Sequence, residues 1–142
     1  MLLHILYILD GAEWLTKPTQ ILYLCRKTKK IMDEITVTDF SKIEMRIGTI
    51  LTAENFEEAI QPAYKMTIDF GEYGIRKTSA QITKLYEPED LIGKQIVAVL
   101  NFPPKQIANM MSECLLTGGV GENKEVTIIQ PERKVANGTR IA

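Results

Sequence analysis

The sequence has little histidine and cysteine, two residues that many enzymes use for acid–base or metal chemistry. It contains one histidine, His4, and two cysteines, Cys25 and Cys114, which lie far apart and outside any CxxC motif. Metal sites and disulfide scaffolds need closely spaced groups of these residues. Serine–histidine or cysteine–histidine catalysis needs a base, and His4 lies far from the other candidate residues. The sequence therefore predicts no enzyme activity, no metal and no cofactor, and it favours a reducing, cytoplasmic compartment.

Long apolar runs and a strong excess of one charge are also missing. The longest apolar run, residues 1–9, is interrupted by His4 and is far shorter than the roughly 20 residues that cross a bilayer. No basic segment precedes it, as one would in a signal peptide. Residues 32–142 hold 12 of the 17 Lys and Arg but 16 of the 18 Asp and Glu. We therefore expect no membrane insertion, and any nucleic-acid binding would need a local basic patch.

The composition fits one globular domain with an appendage. The 142 residues are 45% hydrophobic and 25% charged, which is typical of a folded chain. Residues 1–31 hold two short apolar pieces, residues 2–9 and 21–24, and each could be an added strand or a short docked helix. Alternatively, Met32 is the natural start and the upstream residues are a start-site artefact. We divide the chain into an N-terminal extension, 1–31, and a domain, 32–142.

Alternating apolar and polar residues predict the first three strands of this domain. Residues 42–54 read as a long half-buried strand whose inward side chains include Leu51, with a bulge or kink at Gly48. Residues 64–70 alternate again, and the glycine-containing turn at 71–74 leads into a strand at 75–80. The second and third strands therefore form a hairpin.

The second half of the domain adds a short helix and further strands. Pro88 and Gly93 mark the start and stop of one to two helical turns. Residues 95–100 form a central apolar strand, and strands at 113–117 and 126–130 are joined by a glycine-rich connection. This order predicts a mostly β, five-stranded OB-fold barrel with the helix between strands 3 and 4. An SH3-like barrel is the structural alternative, but it gives the helix no natural place.

The connection between the strands at 95–100 and 113–117, residues 101–112, has the character of a binding loop. Pro103 and Pro104 force the chain to leave the preceding strand extended and to turn sharply. Lys105 and Gln106 then lie where a ligand could contact them. Polar and charged side chains presented by a loop on a rigid β scaffold are a common arrangement for binding.

Several motifs resemble the tRNA-binding domain family, and in particular its CsaA branch. They occur in family-like order and spacing within residues 32–142: TSAQITK at 78–84, YEPE at 86–89, GKQ at 93–95, NFPP at 101–104, SE at 112–113 and NGT at 137–139. The resemblance implies an OB fold, a cytoplasmic homodimer and a secretion chaperone that binds unfolded or exported polypeptides, with the preprotein translocation machinery as a further partner. It also implies tRNA as a ligand, because relatives in the wider family bind tRNA without catalysis.

The resemblance and the basic residues together give a candidate tRNA-binding set. The residues that match the family's binding region are Ser79, Gln81, Lys84, Asn101, Lys105, Ser112 and Glu113. Arg76, Lys77 and Lys94 are further candidates for contacts to phosphate. The polar members could instead cap turns or satisfy the barrel's own backbone, and we favour this structural role for Asn101. Glu113 cannot attract phosphate, so we expect it to orient Lys105 or a backbone amide.

The chain departs from the CsaA pattern by being less basic near the prolines. Gln106 is neutral, and Asn109-Met110-Met111 replaces a stretch that carries a positive charge in the family. Phe102, Met110 and Met111 are the candidate peptide-binding residues, although Phe102 alone would most often be core. The first hypothesis is thus a non-enzymatic, CsaA-like export chaperone, and the alternative is a tRNA-binding module that uses Lys84 and Lys105. Salt should weaken tRNA binding steeply and polypeptide binding little.

Overall fold

A computed structural model describes residues 32–142, and the interpretations of residues 1–31 lie outside this part of the chain. Two short helices and nine strands lie within it. Their bounds are α1 Val37–Ser41, β1 Met45–Asn55, β2 Tyr64–Asp69, β3 Ile75–Ala80, α2 Pro88–Leu91, β4 Gln95–Val99, β5 Lys105–Ile107, β6 Met110–Ser112, β7 Leu115–Leu116, β8 Gly118–Val120 and β9 Val126–Ile128. A single 3-10 turn, Gly71–Tyr73, connects β2 to β3.

The central feature is a five-stranded antiparallel sheet that curls into a barrel. Its strand order is β3-β2-β1-β4-β7. The two edges meet at a seam, where the backbone N–H of Glu113 donates to the carbonyl of Lys77 at 2.8 Å. At the same place the buried hydroxyl of Thr78 donates to the carbonyl of Cys114, also at 2.8 Å. The helix α2 lies between β3 and β4 in the chain, so the predicted OB-fold layout is confirmed.

The first strand turns around the barrel at a different residue from the one predicted. The register with β2 shifts between Ile50 and Thr52, so the bulge lies at Leu51 and not at Gly48. The bulge reverses the alternation, which leaves Leu51 exposed and Ile50 fully buried. The prediction that Leu51 faces inward was therefore wrong. Gly48 serves another purpose, because a Cβ there would lie 2.6 Å from two ring atoms of Phe70.

The barrel core comes from the inward faces that the alternation predicted. Met66, Ile68 and Phe70 of the second strand region are at most 2% exposed. Helix α2 contributes fully buried Leu91, which closes one end of the core. Tyr64 is also buried, and its hydroxyl donates to the carbonyl of Tyr86 at 2.8 Å. This continuous core makes the barrel a rigid support for the surfaces around it.

Two segments that are predicted to be connections form hairpins. The predicted binding loop contains β5 and β6, which pair antiparallel with Gln106 opposite Met111. The glycine-rich connection contains β8, which pairs with β9. The predicted strand 113–117 is regular only at β7. The patterns were missed because both hairpins are only three residues per strand, too short for alternation to be visible.

The closing NGT motif fixes the end of the chain to the barrel. The side-chain oxygen of Asn137 accepts hydrogen bonds from Thr49 at 2.7 Å and from Gln95 at 3.1 Å. Its amide nitrogen donates to Asp69 at 3.0 Å. The following residues then run beside the start of β1, where the backbone N–H of Ile47 donates to the carbonyl of Thr139. This motif is therefore part of the scaffold.

Candidate functional site

The β5–β6 hairpin stands beside the barrel with a groove on either side. We call the first the outer groove; it has a volume of about 320 Å³ and is lined by Thr52, Glu54, Lys65, Met66, Thr67, Lys77, Asn109 and Met110. We call the second the apolar groove; it has a volume of about 350 Å³ and is lined by Ser79, Phe102, Pro103, Lys105, Ile107, Ser112, Cys114 and Leu115. The hairpin thus supplies residues to both grooves.

The outer groove lies on the solvent face of β1, β2 and β3, which is the face that OB folds use for oligonucleotides. A hydrogen bond of 2.9 Å from the Asn109 amide to Glu58 ties the hairpin to the β1–β2 loop. Glu58 also lies 3.4 Å from the ammonium of Lys65. The pKa of Glu58 is lowered first by its own backbone N–H, then by Asn109 and by the charge of Lys65. Lys65 is thus partly neutralised, whereas Lys77 carries the groove's unpaired charge.

The apolar groove exposes large hydrophobic side chains around one cation. Phe102 is 51% exposed and Leu115 is 52% exposed, while Lys105 rises from β5 beside them. The expectation that Phe102 belongs to the core was wrong. The chain leaves the barrel at Asn101, whose side-chain oxygen accepts from the N–H of Glu44 at 2.9 Å and whose amide donates to the carbonyl of Lys42. With that exit fixed, the next residue projects outward before the two prolines.

Cys114 forms the floor of the apolar groove and gives a pH-dependent prediction. Burial raises the pKa of its thiol to about 11. The thiol stays neutral in the folded state, whereas in the unfolded chain it ionises near pH 9. The stabilisation that results from this difference is fully present below pH 9 and is lost as the pH rises towards 11. We expect the free energy of unfolding to fall by about 2 kcal/mol over this interval relative to the Cys114→Ala variant. Urea titrations of both proteins at each pH measure the difference, and parallel pH profiles would contradict it.

The five basic candidates share an electrostatic property. Within residues 32–142 none of them forms an ion pair with a carboxylate: Arg76, Lys77, Lys84, Lys94 and Lys105. Other cations in the same region are paired, for example Lys42 with Asp39 at 2.7 Å and Arg46 with Glu44 at 2.7 Å. Unpaired surface cations can exchange their counterions for phosphates, so these five are available to a polyanion although the domain is acidic overall.

These five cations are spread over the surface. Lys77 lines the outer groove and Lys105 the apolar groove. The ammonium of Lys84 donates to the carbonyl of Asn123 in the β8–β9 turn. Lys94 lies 5.4 Å from the ring centre of Tyr86 and lines a third groove with Arg133 and Lys134. The fifth, half-buried Arg76, donates to the carbonyl of Tyr73.

Most of the polar candidates contact the barrel itself. Besides Asn101, the carboxylate of Glu113 accepts from the backbone N–H of Lys77 at 2.8 Å. The hydroxyl of Ser112 lies 3.2 Å from that of Thr78 and also donates to the carbonyl of Cys114. Glu113 therefore orients a backbone amide, as one of the two expectations had it. Gln81 lies exposed just beyond β3.

The sequence reading missed several residues that line the grooves. Lys65, Thr67 and Asn109 contribute to the outer groove, and Leu115 to the apolar groove. A signal for two of them was present, because Lys65 and Thr67 are the outward partners of the inward-facing residues in β2. Met110 is half-buried and lines the outer groove, while Met111 is 44% exposed and lines neither groove.

A metal site and a membrane-spanning helix are both absent from the part of the chain that the structure describes. Residues 32–142 contain no cluster of three or more His, Cys, Asp or Glu that could hold a metal ion. Over the same range no helix is long and apolar enough to cross a membrane.

Comparisons with known proteins agree with this geometry. A family model described as a putative tRNA binding domain matches residues 45–140. The crystal structure of the chaperone CsaA from Bacillus anthracis is 52% identical, with a TM-score of 0.75, and the match covers 78% of this chain and all of that one. The CsaA chaperone protein from Picrophilus torridus is 47% identical, with a TM-score of 0.72, over 77% of this chain and all of that one.

Curated relatives include much longer proteins. The methionine–tRNA ligase of Methanococcoides burtonii is 36% identical over 109 residues, which are 77% of this chain and 16% of the ligase. The ligase of Halalkalibacterium halodurans is 33% identical over 138 residues, which are 97% of this chain and 20% of the ligase. The chain thus spans about a fifth or less of these relatives. With the family model and the two CsaA structures, this shows that the chain belongs to the tRNA-binding domain family, in its CsaA-like branch.

Proposed function

We propose that the protein is a non-enzymatic RNA-binding module whose ligand is tRNA. The observation that carries this proposal is the group of basic residues without ion pairs on an OB barrel of the tRNA-binding family. Lys77 in the outer groove and Lys105 at the base of the hairpin are the central members. The methionine–tRNA ligases contain the same kind of domain as a small part of their length, so their catalysis is not carried over to this chain.

The groove chemistry favours recognition of phosphates and RNA shape. Proteins that bind single strands stack bases on aromatic side chains. Among residues 32–142 no aromatic side chain lines the outer groove, whose apolar members are Met66 and Met110. Thr52, Thr67 and Asn109 offer hydrogen bonds beside Lys77. Backbone and 2′-hydroxyl contacts to a folded RNA use such groups.

Replacing two of the unpaired lysines should weaken tRNA binding. We expect the Lys77→Ala, Lys105→Ala double variant to bind bulk tRNA about tenfold more weakly at low salt, because two phosphate contacts are lost. The slope of log affinity against log salt should become shallower by about 0.9 for each contact. Filter binding or fluorescence anisotropy at several salt concentrations measures both quantities.

Lys42→Ala is the matched control for this experiment. Lys42 is exposed like the other two, but Asp39 already neutralises it at 2.7 Å. Its removal should leave the affinity and the salt slope unchanged. A control that loses about half as much log affinity as the double variant would mean that only overall charge matters, and would contradict a localised site.

A second candidate function is the holding of non-native polypeptide in the apolar groove. Exposed Phe102 and Leu115 support it, as does the 52% identity to a protein described as a chaperone. The Phe102→Ala, Leu115→Ala double variant should bind a reduced, carboxymethylated globular protein about tenfold more weakly, because the apolar area available for burial shrinks. The control is Val120→Ala, since Val120 is 71% exposed and does not line the groove. Unchanged binding by the double variant would exclude the groove.

We also propose that the protein is a homodimer, as the resemblance implies. The segment after Gly138 supports this, because it adds to the sheet beside β1 and ends in exposed Arg140 and half-buried Ile141. A strand added at an edge can pair with a second copy. Light scattering at micromolar concentration should give twice the chain mass, and a monomeric mass would reject the proposal. The partnership with the translocation machinery stays a prediction.

A further inference from the structure

The third strand leaves the backbone of Ser79 open at the barrel seam. In β2–β3 the N–H of Phe70 donates to the carbonyl of Gly74, which fixes which opposed residues are hydrogen-bonded. Alternation along the antiparallel register then makes Ile68 with Arg76 and Met66 with Thr78 bonded pairs. The alternate residues of β3, which include Lys77 and Ser79, therefore have backbone N–H and carbonyl groups that point away from β2.

At the seam, the backbone groups of Lys77 have hydrogen-bond partners, whereas those of Ser79 do not within residues 32–142. Lys77 receives the N–H of Glu113 on its carbonyl and gives its own N–H to the Glu113 carboxylate. Two residues further on, the backbone N–H and carbonyl of Ser79 point to the same side. Within residues 32–142 no partner meets them across the seam. Such unpaired strand edges are templates for another extended chain.

The open backbone lies in the apolar groove. Ser79 lines this groove together with exposed Phe102 and Leu115, and Lys105 stands at its rim without an ion pair in the described part of the chain. A donor, an acceptor, two apolar walls and one cation therefore face the same space. An extended peptide offers a matching backbone carbonyl and N–H, alternating apolar side chains and, where it is acidic, a carboxylate for the lysine.

We propose that the apolar groove binds an extended, acidic-apolar polypeptide segment by strand addition to the backbone of Ser79. The proposal rests on the second proposed function and specifies its mode. The peptide backbone exchanges hydrogen bonds with the N–H and carbonyl of Ser79, an apolar side chain packs between Phe102 and Leu115, and a carboxylate pairs with Lys105. Backbone recognition explains how the groove can distinguish unfolded from folded chains, since only an unfolded chain has unpaired backbone to offer.

The test uses a substitution that removes only the open donor. In Ser79→Pro the N–H is lost on the side that faces away from β2, so the β2–β3 ladder keeps its bonds, as proline allows at an edge. Ser79→Ala is the matched control, because it removes the hydroxyl and keeps the N–H. With the full-length protein and the carboxymethylated protein as probe, we expect the proline variant to bind at least tenfold more weakly than the alanine variant, because only the proline variant lacks the N–H.

Modified peptides test the same contact without altering the protein. A blocked Leu-Asp-Leu-Asp-Leu peptide should bind, whereas its counterpart with an N-methyl group on the central residue, or with lysine in place of aspartate, should bind at least tenfold more weakly. Equal binding of the peptide and its N-methylated form overturns the proposal, even if Ser79→Pro fails to fold. Loss of tRNA binding with unchanged peptide binding in Ser79→Pro would instead assign the edge to RNA. If the wild-type protein binds neither polypeptide probe, the second proposed function itself fails.

Discussion

Replacing Gly48 by alanine should destabilise the barrel by about 3 kcal/mol. The added Cβ would lie 2.6 Å from Cδ1 and Cε1 of Phe70 and 2.7 Å from Cγ2 of Ile68. Neither neighbour can move aside, because both side chains are fully buried in the core. The strand must therefore shift away from β2 or the ring must leave its place. Urea denaturation of the full-length protein, followed by fluorescence and circular dichroism, measures the loss.

A control and a rescue separate this clash from a general effect of removing glycine. Gly119 lies in β8, and a Cβ there would have no atom of residues 32–142 within 4 Å apart from its chain neighbours. Gly119→Ala should change the free energy of unfolding by no more than about 0.5 kcal/mol. Adding Phe70→Leu to Gly48→Ala should cost less than the sum of the two single changes, because the smaller side chain makes room. A loss below 1 kcal/mol in Gly48→Ala would refute the close-packing account of this strand.

Replacing Asn137 should detach the end of the chain from the barrel. Asn137→Ala removes two acceptor contacts and one donor contact, so Thr49, Gln95 and Asp69 each lose one partly buried hydrogen bond. We expect a loss of about 2–3 kcal/mol in the free energy of unfolding. Asn109→Ala is the matched control, because the bond of its side chain to Glu58 is exposed and should contribute little.

The aspartate substitution at the same position adds a pH dependence whose sign can be stated. In Asn137→Asp a carboxylate would face Asp69 at the 3.0 Å now spanned by a hydrogen bond. Two carboxylates this close repel each other when both are ionised, so the variant loses stability as the pH rises through the range in which carboxyl groups ionise. Its deficit relative to wild type should shrink on acidification to about pH 4. A deficit that stays constant with pH would show that charge repulsion is not the cause.

Much of the barrel could be predicted because its strands are long and one face of each is buried. The alternation in β2 predicted Met66, Ile68 and Phe70 in the core, and all three lie there. Pro88 and Gly93 correctly bounded helix α2, and Gly93 has the positive φ of 83° that favours glycine. Period-two patterns of this kind are informative only where alternation continues over about four or more residues.

The failures lie where local pattern does not determine the environment. The bulge at Leu51 changes the alternation through pairing with β2, a long-range contact that no window in β1 reveals. Phe102 has a core-like side chain, but the Asn101 anchor and the following prolines hold it at the surface. The open backbone of Ser79 depends on which strand edges meet at the seam, so it follows only from the tertiary structure.

Titration of bulk tRNA into the full-length protein over a range of salt concentrations tests the central claim most directly. If unpaired cations such as Lys77 and Lys105 contact phosphates, binding should be measurable at low salt. The log of the affinity should then fall linearly with the log of the salt concentration, with a slope of about −0.9 per phosphate contacted, the value for double-stranded DNA. Absence of binding at low salt, or an affinity that does not change with salt, would contradict a tRNA-binding function for this protein.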